Sequence, residues 1–356
     1  MKIKSLDGLR GIAILSVMIL HLVPTLPPAP TPLFSFLYKL SSFGQMGVDL
    51  FFVLSGFLIT RILYISHKDR FFFKNFYIRR ALRIFPLYYL FLTLSFLIFP
   101  LLIGNKPLPL REQAWYFFYI HNIAYTFNLP LSGAIHLWSL AVEEHFYLVW
   151  PLCIKVFEPK RTLWLSISII FVAFITRFIL IEFNFNAFYF SVTRADNLAL
   201  GAILAYLELQ KKLKSFLLIF GIGSVGLSLS LMGLWLIFGG DANRTIQLIK
   251  PNLIGLLMTC LVGLAIAMPS TSPYYRMLCN RFLTFTGSIS YGLYLFHGDI
   301  FLFSKFLTSK LLINNWVHPF LAMILSFLIC WLLFEYFEKY FLSFKEKLTH
   351  QENLSS

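Results

Sequence analysis

The sequence predicts an all-α polytopic membrane protein: a helix bundle of about ten transmembrane helices with both termini cytoplasmic. Three observations carry this. Of 356 residues, 58% are hydrophobic and only 13% charged, too apolar a mixture for a soluble domain of this length. Stretches long enough to cross a hydrocarbon core of roughly 30 Å recur at about ten places. Lysine and arginine, finally, are distributed unevenly between alternate loops, as cytoplasmic loops that attract cations would have it.

In chain order the spans fall near 9–26, 44–65, 84–103, 137–156, 163–182, 192–209, 215–238, 252–268, 282–306 and 317–341, the sixth and eighth having the weakest apolar signal. Asp7 and Arg10 sit inside the start of the first and no small-x-small cleavage site follows, so this helix is expected to stay as a signal anchor. The proline-rich VPTLPPAPTP, residues 23–32, ends it on the outer side. WYFFYIHNIAY, residues 115–125, is too short to span and reads as an interfacial or re-entrant piece.

On this topology the inner loops hold about 20 Lys and Arg and the outer loops about 8. The formal net charge of +14 is therefore mostly topological, and no basic run is interleaved with exposed polar surface as a nucleic-acid face requires. Cys153, Cys260, Cys279 and Cys330 show no CxxC pairing, so neither a disulfide nor a metal site is expected. No repeat at a fixed period and no inverted repeat is evident. One membrane domain, residues 1–342, is expected to be followed by a short polar cytoplasmic tail, 343–356, without fixed structure.

Ionisable residues inside apolar helices are costly and usually functional. Arg10 and His21, 11 positions apart, lie about three turns along one helix face. Their separation is roughly 16 Å at 1.5 Å per residue, with Arg10 at the cytoplasmic mouth and His21 past the midplane. HLWSLAVEEHFYLVWP, residues 136–151, runs inward and puts Glu143 and Glu144 roughly 10 Å deep, near the level of His21. Asp49 and Ser55 of GVDLFFVLSGFLIT, Arg194 and Asp196 of TRADNLALGAIL, and His297 of SYGLYLFHG belong to the same outer half. Five helices thus bring polar groups to one level.

Plainer readings stand beside these. A His21 to glutamate hydrogen bond can simply hold two helices together, and His297 can serve packing as well as substrate. Arg177 and Lys39 are expected to snorkel to the outer interface, and His121, His136 and His318 to sit at interfaces. Arg79, Arg80 and Arg83 in FYIRRALRIFP stack at helical spacing within a cation-rich inner loop; they serve either the positive-inside signal and anionic lipid, or a phosphate, for which the guanidinium fork is suited.

Together, LDGLRGIAILSVMILH, GVDLFFVLSGFLIT, RRALRIFPLYY, HLWSLAVEEHFYLVWP, RADNLALGAILA and SYGLYLFH, in that order, make the chain resemble the integral-membrane acyltransferase-3 family over about residues 3–341. The resemblance implies a ten-helix domain in the bacterial inner membrane that moves acetyl or other short acyl groups from cytoplasmic acyl-CoA onto sugars. The acceptor it implies is a cell-surface glycan, such as a lipopolysaccharide O-chain. Its functional residues map onto Arg10, His21, Arg80, Arg83 and Glu143. Many members carry an additional extracytoplasmic esterase-like domain, of which these residues hold no counterpart.

The expected chemistry is O-acyl transfer with acetyl-CoA as co-substrate and no permanently bound cofactor. His21 acts as general base, since imidazole titrates near neutral pH, and Glu143 or Glu144 orients it and stabilises the imidazolium. Arg10, Arg79, Arg80 and Arg83 bind the CoA phosphates, while Asp49, Ser55, Arg194, Asp196 and His297 contact the acceptor or support the site. Direct transfer and an acyl-histidine intermediate fit the same residues. The competing class is a proton-coupled transporter or flippase, against which stand the missing repeats and the arginine cluster in line with Arg10.

Overall fold

The computed structural model describes residues 3–26, 31–102, 104–238, 243–312, 314 and 316–349. Among them there is no strand, and ten helices of 16 to 24 residues follow one another: α1 (Lys4–Leu22), α2 (Met46–Ile65), α3 (Phe72–Thr93), α4 (Trp138–Val156), α5 (Pro159–Glu182), α6 (Ser191–Leu209), α7 (Leu217–Phe238), α8 (Arg244–Ala267), α9 (Ser290–Lys310) and α10 (His318–Leu333). Each overlaps one predicted span. Seven of the described helical stretches are long and apolar enough to cross a membrane by length and composition alone. The other three long helices, α4, α6 and α9, carry the interior polar residues: Glu143, Glu144 and His145; Arg194 and Asp196; His297 and Asp299. A helix that packs charge against protein is less apolar than one facing lipid, so composition alone undercounts such helices.

Several boundaries differ from the expected ones. Helix α3 begins at Phe72, about a dozen residues before the predicted span, so Arg79, Arg80 and Arg83 lie on helix rather than in a loop. The sequence hid this because polar FFKNFYIRRALR breaks the apolar run without breaking helical propensity. The predicted ninth span is interrupted at Ile289, which separates a short helix, Arg281–Ser288, from α9. π-helical turns at Leu94–Ile98 and Phe334–Glu338 follow α3 and α10. After the second, helix continues over Lys339–Leu348, so the expected unstructured tail is ordered to that point; residues 350–356 lie outside the described residues. The proline-rich stretch after α1 falls partly outside them too, at 27–30, following a tight turn at Val23–Thr25. WYFFYIHNIAY forms the end of one short helix, Leu110–Phe117, and most of another, His121–Thr126.

The chain sorts into two compact units, each assembled from three stretches. The first comprises 1–9, 48–68 and 114–284. In it α2 and α6 touch backbone to backbone: a Cβ on Gly56 would lie 1.9 Å from the Leu198 carbonyl oxygen, and one on Gly201 would lie 2.2 Å from that of Val53. Such close approach through small residues is how membrane helices gain packing without a hydrophobic drive between them. Helix α4 joins α2 through the indole N–H of Trp150, which donates to Thr60 Oγ1 at 2.8 Å, and through Lys155 Nζ, which donates to the His67 carbonyl at 2.8 Å.

The second unit comprises 10–47, 69–113 and 285–356. Here Gly44 and Gly47 lie against α1, where added Cβ atoms would come within 2.2 Å of the Ser16 carbonyl and 2.4 Å of the Ala13 carbonyl. Helices α3 and α9 meet through Tyr291 Oη donating to the Ile84 carbonyl at 2.9 Å and through the edge-to-face pair Phe91 and Phe296, centroids 5.2 Å apart.

Candidate active site

In the second unit His21 of α1 faces His297 of α9. Their rings are 5.0 Å apart between centroids, and His297 Nε2 lies 3.1 Å from His21 Nδ1. His21 Nδ1 is also 3.0 Å from the Val17 carbonyl one turn back. His297 is buried and directs Nδ1 at the carbonyls of Leu293 and Tyr294, 3.0 and 2.9 Å away. The half-buried His21 is the more accessible of the pair. A second buried histidine of this unit, His318, bridges Thr25 Oγ1 (2.8 Å) and Ser304 Oγ (2.9 Å), tying the end of α1 to α9 and α10 rather than sitting at an interface.

The arginines of α1 and α3 belong to the same unit. Arg10, Arg79 and Arg80 are half-buried and Arg83 is exposed. Arg79 reaches the Thr349 hydroxyl at 3.4 Å, and Arg83 lies within electrostatic reach of Glu338, which the π-helical turn after α10 presents.

In the first unit Ser55 Oγ of α2 donates to Glu143 Oε1 of α4 at 2.5 Å. Glu143 and Glu144 are both half-buried. The next residue, His145, brings Nδ1 to 2.7 Å from Ser191 Oγ, which also accepts from Asn122 Nδ2 at 2.8 Å. These three were missed in the sequence, where the one available signal was the uninterrupted triplet Glu143, Glu144, His145, covering most of a helix circumference with titratable groups.

Beside them lies a buried charge network. Arg194 pairs with Asp49, whose Oδ1 also accepts from Asn197 Nδ2 at 2.5 Å. Asp196 pairs with Arg177 of α5 at 2.5 Å, and Arg177 donates as well to Asn252 Oδ1 (2.6 Å) and to the Thr193 carbonyl (2.5 Å). All four charged side chains are at most 3% exposed. Arg194 is further enclosed by the rings of Phe52, Trp138 and Phe188, 5.1 to 5.7 Å from its guanidinium carbon. Arg177 therefore does not snorkel; its charge is neutralised internally, because Asp196 stands opposite it on the neighbouring helix. His121 likewise is buried, stacked on Tyr116 at 4.6 Å, and burial holds its imidazole down to about 4.

The sequence-predicted residues thus assort into His21 with His297, Ser55 with Glu143, and Asp49 with Arg194, while Asp196 turns to Arg177. An acyltransferase-domain family profile, acyltransferase-3, matches residues 3–335. The chain belongs to the acyltransferase-3 family. Relatives within reach include the O-acetyltransferase OatA of Staphylococcus aureus (strain NCTC 8325 / PS 47), 30% identical over 84% of this chain and 50% of the relative. The peptidoglycan O-acetyltransferase OatA of Listeria monocytogenes serovar 1/2a is 29% identical over 97% of this chain and 58% of the relative. The chain spans about half the length of these curated relatives. No solved structure matches it. The matched stretch runs from before α1 into the π-helical turn after α10, a region that includes every site residue predicted from the sequence.

Proposed function

We propose that this chain is a multi-pass O-acyltransferase of a bacterial cytoplasmic membrane that moves an acetyl or other short acyl group from cytoplasmic acyl-CoA to a sugar hydroxyl of a cell-envelope glycan. The observation that carries the reading is His21: an imidazole deep in an apolar helix, its Nδ1 held by hydrogen bonds, on the same helix as Arg10. His21 takes the proton of the acceptor hydroxyl, whose oxygen attacks the thioester carbonyl; the carbon–oxygen bond forms, the carbon–sulfur bond breaks, and the proton passes to the departing thiolate. Arg10, Arg79, Arg80 and Arg83 bind the phosphates of CoA, for which guanidinium groups offer paired donors. Glu143, anchored by Ser55, supplies catalytic negative charge, with Glu144 its neighbour. Asp49, Arg194 and Asp196 hold together, through their network, the unit that carries Glu143.

A glycan acceptor is supported by the relatives' names, one of which specifies peptidoglycan. The test is acetyl-CoA consumption by inverted membrane vesicles, with and without acceptors that include peptidoglycan fragments and lipopolysaccharide-type glycans, comparing the intact chain with His21→Ala. Acceptor-dependent turnover that His21→Ala abolishes is the expected result. No turnover of any short acyl-CoA by correctly inserted protein would overturn the proposal in favour of a transporter.

A further inference from the structure

Two histidines in hydrogen-bond contact can share their protons in more than one way, and the surrounding acceptors decide which. His297 Nδ1 points at two backbone carbonyls, Leu293 at 3.0 Å and Tyr294 at 2.9 Å. A carbonyl can only accept, so in the neutral ring the proton sits on Nδ1 and Nε2 presents its lone pair. That lone pair is 3.1 Å from His21 Nδ1. His21 Nδ1 therefore has two acceptors in front of it, the Val17 carbonyl at 3.0 Å and His297 Nε2, and is itself a donor. Its own lone pair is left on Nε2. The rings are tilted by 44°, so the contact is a hydrogen bond between edges rather than a stack.

We infer that His297 is a positioning residue for the acyl transfer: it fixes His21 in the Nδ1–H tautomer and orientation, so that Nε2 is the atom that removes the acceptor proton. This deepens the acyltransferase reading above and rests on it. Without His297 the Val17 carbonyl remains, but a single backbone acceptor one turn away on the same helix leaves the imidazole free to turn about its χ angles. The partner on α9 ties the ring to a second helix. His297, buried and pinned by its own backbone, is suited to this because it cannot itself reorient without giving up two hydrogen bonds. The arrangement replaces, with a neutral acceptor, the carboxylate that commonly holds a catalytic imidazole in its tautomer.

The test joins spectroscopy to kinetics. In purified full-length protein with ¹⁵N-labelled histidine rings, assigned by difference against His21→Gln and His297→Gln, the His21 signals should show a protonated Nδ1 and a bare Nε2 at neutral pH. His297→Ala should lower kcat by about ten- to a hundredfold while the acyl-CoA KM moves by no more than about twofold, as for a group that acts after binding. Its His21 signals should broaden or report a tautomer mixture. His297→Gln, whose amide oxygen can accept from Nδ1–H, should recover most of the rate. The inference is overturned if His21 carries its proton on Nε2 in the intact protein, if His297→Ala turns over like wild type, or if its loss of rate leaves the tautomer unchanged. The ring spectrum of the intact protein reads the tautomer whether or not any acyl-CoA is consumed, so a failed acyltransferase assay and a failed tautomer assignment are told apart.

Discussion

Arg177 shows how far a single residue can be read before its neighbours are known. Its position in an apolar helix signalled that the charge must be neutralised or carried to water, but the choice depended on Asp196 and Asn252, 19 and 75 positions away. Spacing within one helix carries no information about such partners. Breaking a buried pair by removing one member costs about 3–5 kcal/mol because the other charge is stranded. Arg177→Ala should therefore lower the melting temperature in detergent and the yield of folded protein far more than Lys39→Ala, an exposed cation of the same stretch class. Equal stability of the two variants would mean that Asp196 is protonated in the folded protein. Ser55 and Glu143 make a different kind of pair, half-buried and with a neutral donor. Glu143→Gln should reduce kcat/KM for acyl transfer by about a hundredfold or more, and Ser55→Ala by less, since the carboxylate survives the loss of one hydrogen bond worth about 1 kcal/mol. Glu143 was legible from the sequence as one of two adjacent candidates; that Ser55 holds it was not.

At the scale of elements, register does what individual residues cannot. Asp49 is seven residues before Gly56 on α2, and Arg194 is seven before Gly201 on α6. Seven residues is close to two turns, so on each helix the charge and the glycine share a face. The offset of 145 that joins Asp49 to Arg194 also joins Gly56 to Gly201, and the glycines set the distance at which the charges meet. Gly56→Leu should push the two helices apart and separate the ion pair, lowering folded yield at least as much as Asp49→Asn; measuring both by fluorescence size-exclusion profile checks it. The glycines were visible in the sequence, but any glycine in an apolar helix looks alike until its partner is known. The short helix His121–Thr126 adds a pH dependence of its own. His121 is neutral when folded, with a pKa near 4 from burial, against an ordinary 6.5 when unfolded. The unfolded state then binds more protons between those values, so stability contributed by neutral His121 is present above about pH 6.5 and is lost as pH falls toward 4. His121→Phe, which keeps the stack on Tyr116, should flatten the loss of thermal stability between pH 7 and pH 5; an unchanged slope would assign it to other groups.

For the whole molecule, the direction of each helix can be recovered from contacts within each unit. In the first unit Ser55 meets Glu143 and His67 meets Lys155, both 88 positions apart, so α2 and α4 run the same way, and the constant offset of 145 makes α6 parallel to α2. In the second unit Ile84 meets Tyr291 and Phe91 meets Phe296, so α3 and α9 run the same way, and His21 with His297 followed by Thr25 through His318 to Ser304 makes α1 parallel to α9. Within the first unit α2, α4 and α6 are thus parallel to one another, and within the second α1, α3 and α9 are, as crossing a bilayer in alternate directions demands of helices whose numbers differ by an even number. The ten long helices were legible because lipid imposes length and apolarity on every crossing. The grouping into two interleaved units was not, because it depends on contacts between stretches far apart in the chain. The remaining unknown, which end faces the cytoplasm, rests on about 20 cations against about 8 in alternate loops. Cysteine labelling reads it directly. In a background with Cys153, Cys260, Cys279 and Cys330 replaced by serine or alanine, single cysteines at exposed Ser132, before α4, and at partly exposed Ser66, after α2, fall on opposite sides of the bilayer. A membrane-impermeant maleimide applied to intact spheroplasts should label Ser132→Cys and spare Ser66→Cys until the membrane is opened. The reverse pattern would invert every helix, put Arg10 and the arginines of α3 outside, and remove them from the reach of cytoplasmic acyl-CoA.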